Sequence, residues 1–259
     1  MKNNIKTQTI QSVIVTGDIE TYPAEVLMYG TTWEPVVVKI KRFQSILSFA
    51  FKIGDGKTKY IGLNTIKGYK PGDLDDKKLM IEISKIVNEA DYFCGQNSDD
   101  FDIKIIKERI IFHKLPPLRP NISTLDTKKL YKQVSRLPNN KLNTISQFNG
   151  IGEKTKHSGT DLFIDCGNGD MKAWKTNEIY NKNDVDITYA DLKCVLPYVK
   201  LTTPQSVFTE NIQCSNPLCL SHNLIKAKRR RVINGWKQQW QCKNCNRYTQ
   251  GKELLKFDK

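Results

Sequence analysis

Three short stretches of this sequence carry side chains suited to phosphate or metal chemistry, and a fourth carries thiols. The first is Asp18-Ile19-Glu20, at the end of an apolar run that opens at Ser12. In a strand, residues i and i+2 point to the same face, so both carboxylates can project from one strand end toward one spot. Two carboxylates held that way repel unless a cation sits between them, and oxygen ligands suit a hard divalent ion. The plain alternative is a solvated strand end. The second stretch is Asn97-Ser98-Asp99-Asp100-Phe101-Asp102, just ahead of a helical pattern that begins at Ile103; a carboxylate there could equally cap the helix. The third is Tyr180 with Asp184, four residues apart and therefore on one helix face. A half-buried Tyr beside a surface Asp would read the same way.

Four of the seven cysteines fall between residues 200 and 259: Cys214, Cys219, Cys242 and Cys245. The second pair is Cys-x-x-Cys, a knuckle in which a tight turn aims two thiolates at one tetrahedral ion, and four thiolates suit zinc. Between the pairs lie Asn223 to Val232 and Trp236 to Gln241, joined by Asn234-Gly235, a pair fitted to a type I′ hairpin turn. This is the layout of a zinc ribbon, with buried thiols as the alternative. The first pair is wider, with Ser215-Asn216-Pro217-Leu218 between its cysteines, which puts Cys214 in question and makes His222 the substitute ligand to consider. Cys94, Cys166 and Cys194 read as ordinary thiols. The expected hairpin also bears Lys226, Lys228, Arg229, Arg230 and Arg231, with Trp236, Trp240 and Tyr248 nearby. Cations neutralise phosphates and aromatics stack on exposed bases, so these residues are candidates for binding nucleic acid. The tryptophans could instead fill the ribbon's small core.

Taken together and in order, the acidic motifs resemble those of the DEDD superfamily of 3′→5′ exonucleases, which have an RNase H-like fold. Asp18 and Glu20 match its D-x-E motif, Asn97, Phe101 and Asp102 match N-x-x-x-(F/Y)-D, and Tyr180 and Asp184 match the Y-x-x-x-D of the tyrosine branch. The histidine branch needs H-x-x-x-x-D, and His157 has Leu162 at that offset. Leu142 to Phe148 and the segment Gly169-Asp170-Met171-Lys172-Ala173-Trp174 also resemble a phage and prokaryotic group of such exonucleases. The resemblance implies that Asp18, Glu20, Asp102 and Asp184 hold two Mg²⁺ or Mn²⁺ ions. Such ions, typically about 3.5–4 Å apart, bracket a scissile phosphate. Tyr180 would orient the attacking water, since a phenol with an ordinary pKa of about 10 is a poor base at neutral pH. Asn97 would contact the terminal nucleotide. Asp99, Asp100, Asp186 and Asp191 are read as helix caps or solvated groups.

The elements that must position these residues read as mixed α/β. Three β-rich runs open the chain, starting at Ser12, Trp33 and Ser45. From Asp76 to Ala90 the apolar residues Leu79, Ile83, Ile86, Val87 and Ala90 recur at helical spacing, a short strand follows from Ala90 to Gly95, and Ile103 to His113 reads as a helix ended by Pro116-Pro117. Early strands followed by alternating helix and strand predict an RNase H-like mixed sheet flanked by helices over residues 1–203, and a zinc-ribbon nucleic-acid-binding domain over 204–259.

Charge and hydropathy agree with a polyanionic partner. The 259 residues hold 41 Lys+Arg against 27 Asp+Glu, a formal +14. Residues 200–259 hold 12 of the former and 3 of the latter, so most of the excess sits in the tail. Hydrophobic residues make up 39% of the chain, enough for a core, while a mean hydropathy of −0.51 excludes a membrane-embedded class. The N-terminal MKNNIKTQTIQS has no apolar h-region, so no signal peptide is expected, and a cytosol-like compartment disfavours disulfides. The expected activity is hydrolysis of DNA, ahead of RNA, from the 3′ end. An endonuclease or RNA nuclease using the same acids, or a non-catalytic nucleic-acid-binding protein, are the alternatives.

Overall fold

A computed structural model describes residues 12–30, 36–120, 122–153, 155, 158–199, 212–232 and 235–255. The chain divides into two compact units, one over Val13–Leu192 and one that includes Lys193–Lys259. The boundary expected near 203/204 falls within 200–211, outside the described residues, as does His157.

The larger unit is built on a five-stranded sheet. Its strands are β1 (Ile14–Tyr22), β4 (Ser45–Ile53), β5 (Lys59–Gly62), β6 (Tyr92–Gly95) and β7 (Ser123–Asp126), in the order β5-β4-β1-β6-β7. β4 runs antiparallel to both β1 and β5, whereas β6 runs parallel to β1 and β7 parallel to β6. This mixed sheet with its helices is compatible with an RNase H-like fold. Three strands of this unit were not foreseen: β5, β7 and β2 (Glu25–Tyr29). The run expected from Trp33 becomes β3 (Val36–Arg42), which pairs with β2 as a separate two-stranded ribbon rather than joining the sheet. All seven of its side chains are exposed, so neither face of the strand packs on the sheet.

Six helices are described. In α1 (Lys77–Asn88), Leu79, Met80, Ile83 and Val87 recur along one face and are all buried. α2 (Asp102–Phe112) buries Ile103, Ile106 and Ile110 in the same cluster, against Val15, Ile19, Phe49 and Phe93 from the sheet. Asp126, the last residue of β7, caps α3 (Thr127–Val134) by accepting the Lys129 N–H at 3.2 Å. α4 (Leu142–Phe148) and α5 (Thr160–Asn168) follow, and α5 ends at Gly169, whose φ of +93° suits a left-handed cap. α6 (Met171–Val195) is the long helix that carries the third motif. No helix among the described residues is long and apolar enough to cross a membrane.

The smaller unit contains a three-stranded antiparallel sheet in the order β10-β9-β8, formed by β8 (Leu224–Val232), β9 (Gly235–Cys242) and β10 (Tyr248–Leu255). β8 and β9 match the expected hairpin strands and β10 is an addition. Asn234 of the expected turn lies outside the described residues.

Candidate functional site

Strand alternation decides which way the first motif points. Val15 and Ile19 enter the hydrophobic cluster, so Thr16, Asp18 and Glu20 face the other side of β1. Gly17, between them, lies so close to its neighbours that an added Cβ would sit 2.5 Å from the Phe49 ring and 3.1 Å from the Phe93 ring. A register shift follows directly after Glu20, a kind of irregularity that re-aims side chains at a strand end. The result is a convergence of Asp18, Glu20 and Asp184, whose ligand oxygens all lie within 4.8 Å of one another. Asp184 reaches this point from α6 and is 3% exposed.

Asp102 is the first residue of α2 and is buried. It is not the helix cap, a position held by Phe101; its Oδ1 instead accepts the backbone N–H of Ile19 at 3.1 Å, between the two strand acids in sequence. Burial pushes its carboxyl up to about 7, against the N–H donors of Ile19 and of Asp102 itself, with a further upward push from Asp126. Tyr180 is buried and its hydroxyl bonds to Asp184. Burial first, then the carboxylates of Glu20, Asp184 and Asp18, drive its pKa far above the usual phenol value. The phenol therefore stays protonated and acts as a hydrogen-bond group.

Asn97 is anchored by Asp126 and Lys128. Its backbone has a φ of +61°, its N–H donates to Asp126 Oδ1 at 3.1 Å, and its side-chain oxygen accepts from Lys128 Nζ at 3.0 Å. Asp126 also receives the Asp99 N–H at 3.3 Å, so it pins the loop that leads into Asp102. Asp99, Asp100 and Asp186 form exposed ion pairs with Lys129, Lys104 and Lys52. Asp191 is different and corrects the expectation of a solvated group. It is 0% exposed, one oxygen accepts from Asn149 Nδ2 at 2.6 Å, and burial raises its carboxyl to about 6 despite that bond.

Sequence reasoning missed two sets of residues. Asn181 Nδ2 donates to Asp18 Oδ2 at 2.6 Å and to the Asp18 carbonyl at 3.1 Å, while its oxygen accepts from Ser48 Oγ at 3.2 Å. Asn177 and Asn181 are both fully buried and one turn apart on α6; such polar residues on a buried face were the available signal. The other set is Asp76, Arg109 and His113. With Asp75, Asp76 and His113 also form a group within 4.8 Å. The Asp76 oxygens are already taken, by Arg109 at 2.7 and 2.9 Å, the Ile46 N–H at 2.8 Å and His113 at 2.5 Å. This is a buried ion pair joining α1, α2 and β4, not a vacant ligand set.

In the smaller unit the four tail cysteines converge within 4.8 Å, Cys214 included, and His222 is exposed and outside the group. Cys214 and Cys245 sulfurs are 3.4 Å apart and those of Cys219 and Cys242 are 3.7 Å apart. Tetrahedral thiolates around zinc, at about 2.3 Å each, would stand about 3.8 Å from one another, so the donor set fits such an ion. Burial raises the Cys214 thiol and takes that of Cys219 up to about 11. For Cys242, burial also pushes upward, but the N–H groups of Cys245 and Asn244 and the neighbouring thiols outweigh it. Lys226, Lys228, Arg229, Arg230 and Arg231 are exposed along β8, whereas Trp236 and Trp240 on β9 are half-buried. Lys226 Nζ lies 5.9 Å from the Trp240 ring centroid.

Among solved structures, the chain is similar to the family B DNA polymerase from the hyperthermophilic archaeon Pyrobaculum calidifontis, with a TM-score of 0.54 and 16% identity. The match covers 72% of this chain and 25% of the polymerase chain, so it spans about a quarter of that protein's length. At this identity the likeness is one of fold. No protein-family model and no curated protein matches the sequence.

Proposed function

We propose that the chain is a divalent-metal-dependent nuclease that hydrolyses phosphodiester bonds of DNA from the 3′ end. The observation that carries this reading is the meeting of Asp18, Glu20 and Asp184 within 4.8 Å, with the buried Asp102 fixed against the same strand. Similarity to a DNA polymerase in fold, and the basic tail, support nucleic acid as the partner.

The donor set suits hard cations: Asp18, Glu20 and Asp184 each offer an oxygen within a small volume, and the buried Asp102 adds a carboxyl against the same strand. In this reading Asp18, Glu20, Asp102 and Asp184 hold two Mg²⁺ or Mn²⁺ ions, which when bound supply Lewis acidity toward the phosphate and the attacking water. The protein's own contribution is positional. Asn181 holds the Asp18 carboxylate from one side. Tyr180, kept protonated, donates its O–H to Asp184, and its oxygen accepts from, and so orients, the attacking water. Asn97 is proposed to contact the terminal nucleotide, with Lys128 orienting its amide. In the tail, Cys214, Cys219, Cys242 and Cys245 are proposed to hold one structural Zn²⁺. Lys226, Lys228 and Arg229 to Arg231, with Trp236 and Trp240, are proposed to bind the strand.

End-resolved digestion tests the reading. DNA and RNA of matched sequence, labelled at the 3′ or the 5′ end, together with circular DNA, are incubated with Mg²⁺ or Mn²⁺. The proposal predicts early release of 3′-terminal mononucleotides from linear DNA and intact circles. Cleavage of circles would replace it with an endonuclease, and binding without cleavage would leave a nucleic-acid-binding protein.

A further inference from the structure

The β2–β3 ribbon exposes eight large hydrophobic side chains, Val26 to Tyr29 on one strand and Val36 to Val38 with Ile40 on the other, and the site chemistry above leaves it without a role. A two-stranded hairpin is marginal in water unless another surface packs on it. This one nevertheless presents Tyr29 at 76% exposure and Val36 at 61%. Direct cross-strand partners share a face, so the register sorts the side chains. Tyr29 pairs with Val36, Leu27 with Lys39 and Glu25 with Arg42, while Val26 with Ile40 and Met28 with Val37 are wholly apolar pairs; register shifts after Glu25 and after Leu27 leave Lys41 and Val38 between the direct pairs. Against Glu25 alone, the two strands carry Lys39, Lys41 and Arg42.

The ribbon also leaves the sheet beside the acids. Only Pro23 and Ala24 separate β1 from β2, and from Glu20 to Glu25 the chain spans at most about 17 Å.

We propose that this ribbon is a second nucleic-acid-binding surface, one that holds an unpaired strand running to or from the carboxylate cluster. An unpaired strand offers apolar base faces and anionic phosphates, and an aliphatic and aromatic surface set among cations complements both. A second copy of the chain fits less well, because it would bring the same three cations against these and the whole chain is +14. The inference deepens the proposed function by naming single-stranded nucleic acid as what the ribbon holds, and it rests on that reading only for the partner class.

The test is equilibrium binding of the full-length chain to a 5′-fluorescent 20-nucleotide oligothymidine and to a duplex of matched length, with no Mg²⁺ or Mn²⁺ added so that cleavage plays no part, across a salt series. Two variants separate the contributions: Leu27→Ser with Tyr29→Ser, and Lys39→Gln with Lys41→Gln. All four side chains are outward, and unchanged thermal unfolding verifies the fold. Each variant is expected to lose at least five-fold in single-strand affinity with little change for duplex. The lysine variant should also flatten the slope of log K against log[salt] by about 1.4, at about 0.7 per phosphate contact. Wild-type affinity in both variants would overturn the inference. So would a wild-type dimer that either variant makes monomeric in sedimentation, or affinity for phosphatidylserine vesicles that the variants lose while oligonucleotide binding stays. A wild-type chain that binds through the ribbon but cleaves nothing with Mg²⁺ or Mn²⁺ would remove the nuclease reading and keep this one. A chain that cleaves while both variants bind normally would do the reverse.

Discussion

The amide of Asn181 grips Asp18 twice, at 2.6 Å to Oδ2 and 3.1 Å to the backbone carbonyl, and is itself held by Ser48 at 3.2 Å. The contact ties α6 to β1 at the point where their acids meet, so the orientation of Asp18 depends on a residue that is not an acid. Groups that orient metal-ligating side chains typically contribute 10–100-fold to affinity or activity. Asn181→Ala should weaken Mn²⁺ binding by about that factor, read by titration calorimetry in the absence of nucleic acid. Asn181→Asp should be worse, because a carboxylate there faces Asp18 with like charge. Mn²⁺ affinity equal to wild type in both variants would reduce Asn181 to a packing residue.

The cysteine cluster predicts one equivalent of zinc. Metal content measured on the purified chain should approach one Zn²⁺ per molecule and fall below about half on Cys219→Ser or Cys245→Ser. A strong chelator should unfold the smaller unit while leaving divalent binding at the carboxylates, since small metal-bound units derive much of their folding energy from the ion. A chain with no zinc and unchanged folding under chelation would show that the four thiols pack without metal.

Asp76 and Arg109 make a buried, doubly hydrogen-bonded pair. Removing one partner strands the other charge away from water, at a cost of about 3–5 kcal/mol. Arg109→Met should lower the urea midpoint accordingly, and Asp76→Asn should do so as well. A change below 1 kcal/mol in either would mean that the site relaxes to admit water.

Asp191 sets a dependence of stability on pH. Its folded pKa is raised to about 6 by burial, above the ordinary carboxylate value. The folded state therefore binds more protons than the unfolded state between about pH 4 and 6, and stability falls as pH rises through that window. Above about pH 6 the buried charge is a standing penalty, on the order of 3 kcal/mol. Asp191→Asn keeps an oxygen for Asn149 to donate to and removes the charge. The variant should melt higher than wild type at pH 8, with the gap closing toward pH 4.5. A gap that is constant with pH would mean that Asp191 does not titrate in this range.

The motifs were legible because they are local: a strand of period two aims Asp18 and Glu20 together, and a helix of period 3.6 aligns Tyr180 with Asp184. The long, strongly periodic helix that begins at Lys77 and the short strand ending at Gly95 were legible for the same reason. What escaped depends on residues far apart in the chain. Asn181 matters because Ser48 and Asp18 come to it, and Asp191 is buried because Tyr131 and Asn149 close over it. β3 reads as an ordinary strand by composition, yet only its pairing with β2 reveals that it stands outside the sheet. Cys214, questionable by spacing, is carried to the other thiols by the fold.

The central claim is that the carboxylates of β1, α2 and α6 act as one metal-dependent hydrolytic centre. Its most direct test is the rate of release of 3′-terminal nucleotide from linear DNA by Asp102→Asn, beside the wild-type chain, with the fold of both verified by thermal unfolding. The account predicts that Mg²⁺- or Mn²⁺-dependent cleavage falls by at least 10³-fold, while affinity for the oligonucleotide without added Mg²⁺ or Mn²⁺ stays within a factor of about two. Full activity in the folded variant would contradict it.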